Sequence, residues 1–289
     1  MQATSNDFLV IQAADEDRLD ALRRYAPQLC DRRKGLGADG IIVIQPHEEA
    51  DMRMRVINAD GSEAEMCGNG LRCAVLYMRQ DTGELQRERW SVQTGAGLLH
   101  AWVRDEHTVR VHMGAPRLSP PDIPVQLDGP RVVDEAVSVD SQQVRITAVS
   151  MGNPHAVLFY PRLSDDLVHT IGPALESHSL FPRKTNVEFV TVHSAQEATM
   201  RVYERGVGET MACGTGACAS VVAGILNGLL DTAVTVHLRG GDLHIEWDGS
   251  TDGPVYMTGT AFRVYEAEAD AAHIAGTYTA APTAAGEVT

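Results

Sequence analysis

The sequence predicts an α+β fold of two pseudo-symmetric domains, each with its own strands wrapped around a central helix. Three observations carry that expectation. The chain repeats itself at a constant offset: Met54-Arg55-Val56 recurs as Met200-Arg201-Val202, and Cys67-Gly68-Asn69-Gly70 recurs as Cys213-Gly214-Thr215-Gly216, each 146 residues later. The same offset superposes the apolar run Ile41 to Ile44 on Val187 to Val190, and one residue more sets Ser5-Asn6-Asp7-Phe8 against Gly152-Asn153-Pro154-His155. Finally, each half passes from short β-branched or alternating runs, through a turn, into a glycine-rich helix start.

The elements follow in order. Ile41 to Ile44 and Met52 to Ile57 read as strands, and Asn58-Ala59-Asp60-Gly61 as a turn. Leu71 to Arg79 then has helical periodicity, as Ala217 to Leu229 does in the second half after the turn Glu204-Arg205-Gly206-Val207-Gly208. Both helices are apolar on most faces, which predicts burial. The first domain is expected to span 1–113, with a C-terminal strand at about 259–270 returning to it. The second spans 114–258, beginning at Gly114-Ala115-Pro116 and the Pro-rich stretch to Pro130. Residues 271–289, rich in Ala and Thr, read as a loose tail.

Composition narrows the function. The chain has 289 residues, 44% hydrophobic and 22% charged, with a formal net charge of −15. An acidic chain lacks the basic field that nucleic acid or an anionic membrane requires. The apolar run Val221 to Leu230 is interrupted by Gly224, Asn227 and Gly228, and Met1 to Asp7 has no secretory pattern, so a cytoplasmic protein is expected. The five cysteines are Cys30, Cys67, Cys73, Cys213 and Cys218. An odd number suits no disulfide framework, and the spacings within Cys67/Cys73 and Cys213/Cys218 fit no structural zinc site, so no metal is expected.

Cys67 and Cys213 stand at helix starts between glycines. There the positive end of the helix dipole favours a thiolate, and free N–H groups make a carboxylate site. Two such ends converging on one carboxylate set a sulfur on each face of the neighbouring carbon. That arrangement suits inversion of an acidic carbon, with one thiolate as base and one thiol as acid. Cys30, Cys73 and Cys218 read as buried small hydrophobes.

Asn58 to Cys73 (NADGSEAEMCGNGLRC) and Tyr203 to Ala217 (YERGVGETMACGTGA) resemble the two signature motifs of the diaminopimelate epimerase family, and the likeness runs from about Gln2 to Glu266. The resemblance implies a diaminopimelate epimerase-like fold, each half a barrel-like antiparallel sheet around its helix. It implies a cofactor-independent, cytoplasmic, homodimeric isomerase that converts LL- to meso-diaminopimelate in lysine and peptidoglycan-precursor biosynthesis. By the same resemblance Cys67 and Cys213 are the acid–base pair, and Gly68, Asn69, Gly214 and Thr215 bind the reacting-end carboxylate. Asn58, Asn153, Asn186 and Arg205 then read the distant amino-acid end, Glu204 and His155 assist at the reacting end, and Asn6 lines the pocket.

Two positions depart from the family pattern: Ser5 stands where a glycine is usual, and Gly40 where some members have glutamine. Gly35-Leu36-Gly37-Ala38-Asp39-Gly40 spells the dinucleotide fingerprint but precedes a strand, so it reads as a turn and implies no nicotinamide. Rival functions are a proline, hydroxyproline or histidine racemase on the same fold, a hydrolase pairing Cys213 with His155 or His237, and a thiol sensor.

Overall fold

A computed structural model describes residues 1–140, 142–270 and Ile274. The expected tail, 271–289, lies outside the described residues except at Ile274. Each half repeats one motif. In the first, strand Asn6–Gln12 leads through helix α1 (Glu16–Leu29) to Gly40–Gln45, Met52–Asn58 and the short Glu63–Ala64, then helix α2 (Gly68–Asp81) and Arg89–Thr94, Gly97–Val103 and Thr108–His112. In the second, Pro154–Phe159 leads through α3 (Asp165–Glu176) to Asn186–Ser194, Glu197–Glu204 and Gly208–Thr210. Helix α4 (Gly214–Leu226) and Ala233–Leu238, Gly241–Glu246 and Tyr256–Thr260 complete it.

Two pseudo-symmetric α+β halves, each wrapped on a central helix, match the expectation, but the pairing is mixed and not purely antiparallel. Asn6–Gln12 runs parallel to Gly40–Gln45, and Met52–Asn58 parallel to Arg89–Thr94; the second half repeats both relations. The reason is the helix between each pair, since parallel neighbours need a long crossover. The halves join where their final strands meet, with Val109 opposite Gly259 and Val111 opposite Met257 in an antiparallel ladder. Tyr256–Thr260 thus bonds both Thr108–His112 and Gly241–Glu246. Regular pairing ends at Thr260, short of the strand expected to about 270. Beyond it Ala261 N–H donates to the His107 carbonyl at 2.9 Å, Phe262 bridges to Gln2 and the Tyr265 hydroxyl donates to the Leu36 carbonyl at 3.1 Å, but residues 263–270 are exposed. That stretch carries Glu266, Glu268 and Asp270, which favour water over a ladder.

Both central helices are buried on nearly every face. In α4 the residues Ala217 to Ala223 have essentially no exposure, so glycine's helix penalty of about 1 kcal/mol at each of Gly216 and Gly224 is set against about 1.5–3 kcal/mol for each buried valine, Val221 and Val222. Burial wins. One core unites both helices with strands of both halves, and smaller cores lie under α1 and α3 on the outer faces of the sheet. The outer helices are amphipathic and capped by oxygen: Asp15 Oδ1 accepts from Arg18 N–H at 2.8 Å, and Ser164 Oγ from Leu167 N–H at 3.2 Å.

The turn at Thr4 and Ser5 ties the halves at one end. Both residues have positive φ, 49° and 60°, so the glycine expected at position 5 would meet less steric opposition than the serine present. Ser5 Oγ donates to the Gly240 carbonyl at 3.1 Å, and a Cβ at Gly240 would lie 2.1 Å from the Thr4 carbonyl oxygen. Gly240→Ala must therefore part the two backbones. We expect a loss of about 1–3 kcal/mol in urea unfolding; an unchanged midpoint would contradict this close junction.

Candidate active site

The two repeated motifs place their cysteines identically. Cys67 is the N-cap of α2, extended at φ −142°, and its Sγ accepts from Gly70 N–H at 3.4 Å. Cys213 is the N-cap of α4, at φ −128°, and its Sγ accepts from Gly216 N–H at 3.4 Å. Each helix therefore starts on a sulfur. The close approach explains the last glycine of each Cys-Gly-x-Gly motif, since a Cβ at Gly70 would meet Ile42 Cδ1 at 2.5 Å and one at Gly216 would meet Glu188 Oε1 at 2.8 Å.

Both cysteines open into one cavity of about 1300 Å³ between the halves. Gly68 and Asn69 line it from one side, Gly214 and Thr215 from the other. The first N–H groups of a helix have no partner within it, so this wall is built to receive an anion. Met257, fully buried on the joining strand, separates the two starts. Its side chain would touch a Cβ at Gly68 at 2.7 Å and one at Gly214 at 3.0 Å.

Asn6, Asn58, Asn153, Glu204 and Arg205 also line the cavity. Cys67 S–H reaches Asn6 Oδ1 across 4.0 Å, and Asn6 Nδ2 donates to Asp39 at 2.9 Å. Asn58 Nδ2 is held by Ser62 Oγ at 2.9 Å. Cys213 Sγ contacts Thr215 Oγ1 at 3.4 Å, and Asn153 Nδ2 donates to that hydroxyl at 3.3 Å.

Two of the expected site residues lie behind the cavity wall. Asn186 is buried, its Oδ1 accepting from Arg205 N–H at 2.9 Å and its Nδ2 donating to the Pro154 carbonyl at 3.1 Å. It braces the turn that carries Arg205. His155 is fully buried, with Nδ1 2.7 Å from Glu188 Oε1 and Nε2 2.9 Å from Asn153 Oδ1. A chain of contacts thus runs from Glu188 through His155, Asn153 and Thr215 to Cys213. His237, the other base considered for a hydrolase, is bonded to Asp242 and Glu197 and is not among the cavity's lining residues.

The helix dipole does not by itself make these cysteines thiolates. Burial pushes both thiols up, Cys213 well above its ordinary value, with Glu204 and Glu188 adding to the rise. The N–H groups of Gly70 and Asn69, with the Arg72 charge, pull Cys67 the other way. Desolvation outweighs the dipole because an open helix end offsets only a fraction of a charge. Cys73 and Cys218, deep in the core, are pushed up to about 12. Burial also raises Glu204, against a hydrogen bond from Thr210.

Sequence reasoning missed the cationic rim. Arg32, Arg117 and Arg183 line the cavity beside Arg205, interleaved with Asp39, Glu63 and Asp122. Arg32 is fixed by Asp7 at 2.6 Å and Asp39 at 2.8 Å. No helix among the described residues is long and apolar enough to cross a membrane.

Comparison with known proteins agrees with the geometry. The family model described as diaminopimelate epimerase matches residues 1–119 and 147–264. The chain is 48% identical over 272 residues to the diaminopimelate epimerase of Moorella thermoacetica, covering 93% of this chain and 97% of that one. It is 50% identical over 273 residues to that of Desulfitobacterium hafniense, covering 92% and 95%. Among solved structures, a probable proline racemase from Agrobacterium radiobacter superposes with a TM-score of 0.64 at 14% identity, over 94% of each chain. A hydroxyproline epimerase from Agrobacterium vitis does so with a TM-score of 0.63 at 15% identity, over 91% of this chain and 87% of that one. At such identities these two share the fold alone.

The raised Glu204 carboxyl has a consequence for stability. The native state holds its proton to higher pH than the unfolded chain, so this group's contribution falls as pH rises from the ordinary carboxylate range through its raised value. Glu204→Gln, permanently neutral, should resist urea better than the parent at pH 8 and equally at pH 4. An advantage of the same size at both values would contradict the burial of this charge.

Proposed function

Since the chain belongs to the diaminopimelate epimerase family, we propose that it interconverts LL- and meso-diaminopimelate by two-base proton transfer between Cys67 and Cys213. The observation that carries this reading is the opening of both cysteine-capped helix starts into one cavity. The reacting carboxylate binds the N–H groups of Gly68, Asn69, Gly214 and Thr215. These donors gain strength as charge moves from the α-carbon onto the carboxylate, which is where the barrier is lowered. One thiolate removes the α-proton and becomes a thiol. The opposite thiol delivers its own proton to the other face and becomes the thiolate. The product therefore leaves the charge on the second sulfur, and the reverse reaction restores it.

The remaining groups divide by end. Glu204, beside Cys213, sits near the substrate's reacting ammonium, and His155 reaches the reacting end through Asn153 and Thr215. Arg205 pairs with the distant carboxylate, Asn58 and Asn153 receive the distant amino-acid end, and Asn186 supports it by holding the Arg205 turn. The mixture of guanidinium and carboxylate groups on the cavity wall supports a substrate carrying both charges at both ends. The scheme uses the chain's own thiols and needs no cofactor. The family reading extends to a cytoplasmic homodimer in lysine and peptidoglycan-precursor biosynthesis.

Solvent deuterium tests it. Each stereoisomer incubated in heavy water should gain deuterium at one α-carbon as it inverts. Cys67→Ser and Cys213→Ser should each lower turnover by about 10²-fold or more with the fold intact, on the scale of losing a positioned acid or base. Retained turnover in either variant contradicts the two-base scheme, and turnover of proline or histidine without diaminopimelate contradicts the substrate. Arg205→Lys should raise KM by roughly tenfold with little change in kcat, because an ammonium cannot reproduce a two-pronged bond. An unchanged KM would remove Arg205 from the distant end.

A further inference from the structure

The two halves repeat in backbone but not in buried charge. Within α2 lies Arg72, with no exposed surface and no carboxylate partner among the described residues. Its guanidinium donates to Asn69 Oδ1 at 3.0 Å, Thr4 Oγ1 at 3.1 Å, the Thr260 carbonyl at 3.3 Å and the Gly68 carbonyl at 3.4 Å. An uncompensated cation in such a place is costly to bury. The position 146 residues later is Cys218, so α4 has no such charge.

The opposite holds on the other side. Glu188, also fully buried, meets the first turn of α4, where its Oε1 would lie 2.8 Å from a Cβ at Gly216 and Cys213 Sγ 3.3 Å from the same point. Its Oε2 has no hydrogen-bond partner. The equivalent residue in the first half is Ile42, whose Cδ1 occupies the same place against Gly70. His155, equivalent to Phe8, pairs with Glu188, and it is the carboxylate end of that pair that faces the helix start. An apolar pair under Cys67 is thus replaced by an acid–imidazole pair under Cys213.

We propose that Arg72 and Glu188 are positioning residues that break the symmetry of the thiol pair, so that Cys67 is the sulfur that ionises first and Cys213 the one that keeps its proton before substrate arrives. Arg72 does this by standing behind the turn that carries Cys67 and by fixing Asn69 and Gly68. Glu188 does it by setting negative charge against the turn that carries Cys213, where Glu204 adds more. The other titratable groups acting here are Glu204, which opposes ionisation of Cys67, and His155, which packs between Glu188 and Asn153. The inference deepens the two-cysteine reading and rests on it. Its test nevertheless reads the free protein, so loss of this asymmetry and loss of turnover are separate results.

The experiment is alkylation of the substrate-free enzyme with iodoacetamide across pH 6 to 11, with Cys67 and Cys213 followed separately by peptide mass. The rate tracks the thiolate fraction, and the pH midpoint, unlike the absolute rate, does not depend on how easily the reagent enters. The Cys67 midpoint should lie at least about one pH unit below that of Cys213, a tenfold difference in ionisation. Glu188→Gln, which keeps the shape, should lower the Cys213 midpoint and narrow the gap. Arg72→Met should raise the Cys67 midpoint, and Arg72→Lys, which keeps the charge, should restore it. Equal or reversed midpoints in the parent, or an unchanged gap in Glu188→Gln, overturn the proposal even where an Arg72 variant fails to fold.

Discussion

The close approach of two helix starts across the side chain of Met257 is the constraint on which the rest of the molecule depends. Gly68 and Gly214 leave room for that side chain, and Met257 is held there by the ladder joining the last strand to Thr108–His112. The core then buries the remainder of both helices, so neither can slide without exposing Leu71, Val75, Val221 or Val222. Everything at the cavity wall inherits its position from this junction: the sulfur caps, the N–H groups beside them and the residues packed beneath.

Much of this was legible in the sequence because duplication is itself a structural constraint. Two copies of Cys-Gly-x-Gly at one offset required two equivalent helix starts, and burial of both helices followed from their apolar faces. The outer helices were less visible. α1 has few apolar residues, with Leu19, Ala26 and Leu29 buried, and both α1 and α3 contain a proline, Pro27 and Pro173. Their presence turns the neighbouring strand pairs parallel, a relation that no local pattern reports.

The site was legible where a side chain faces the cavity and less so where it acts from behind. Asn186 and His155 are polar residues in buried strands, and sequence alone does not distinguish lining a pocket from bracing it. Arg72 and Glu188 were overlooked because each falls within an otherwise familiar motif or strand. Comparing the repeats position by position would have marked them, since a core site that is Ile in one copy and Glu in the other is a break in symmetry. The protonation of the thiols was partly legible for a related reason: the dipole is a local property of the helix start, whereas the desolvation that opposes it depends on how completely two domains enclose it.

A pseudo-twofold backbone with unequal buried charge suits a reaction whose two directions use the same groups in exchanged roles. The convergence of the two sulfurs on one carbon is best measured in a crystal structure with α-methyl-diaminopimelate, which has no α-proton to lose at its substituted carbon. That carbon should lie between Cys67 and Cys213 Sγ, one sulfur on each face, with its carboxylate on the N–H groups of both helix starts. A ligand approached by one sulfur only, or with that carboxylate bound elsewhere, would contradict it.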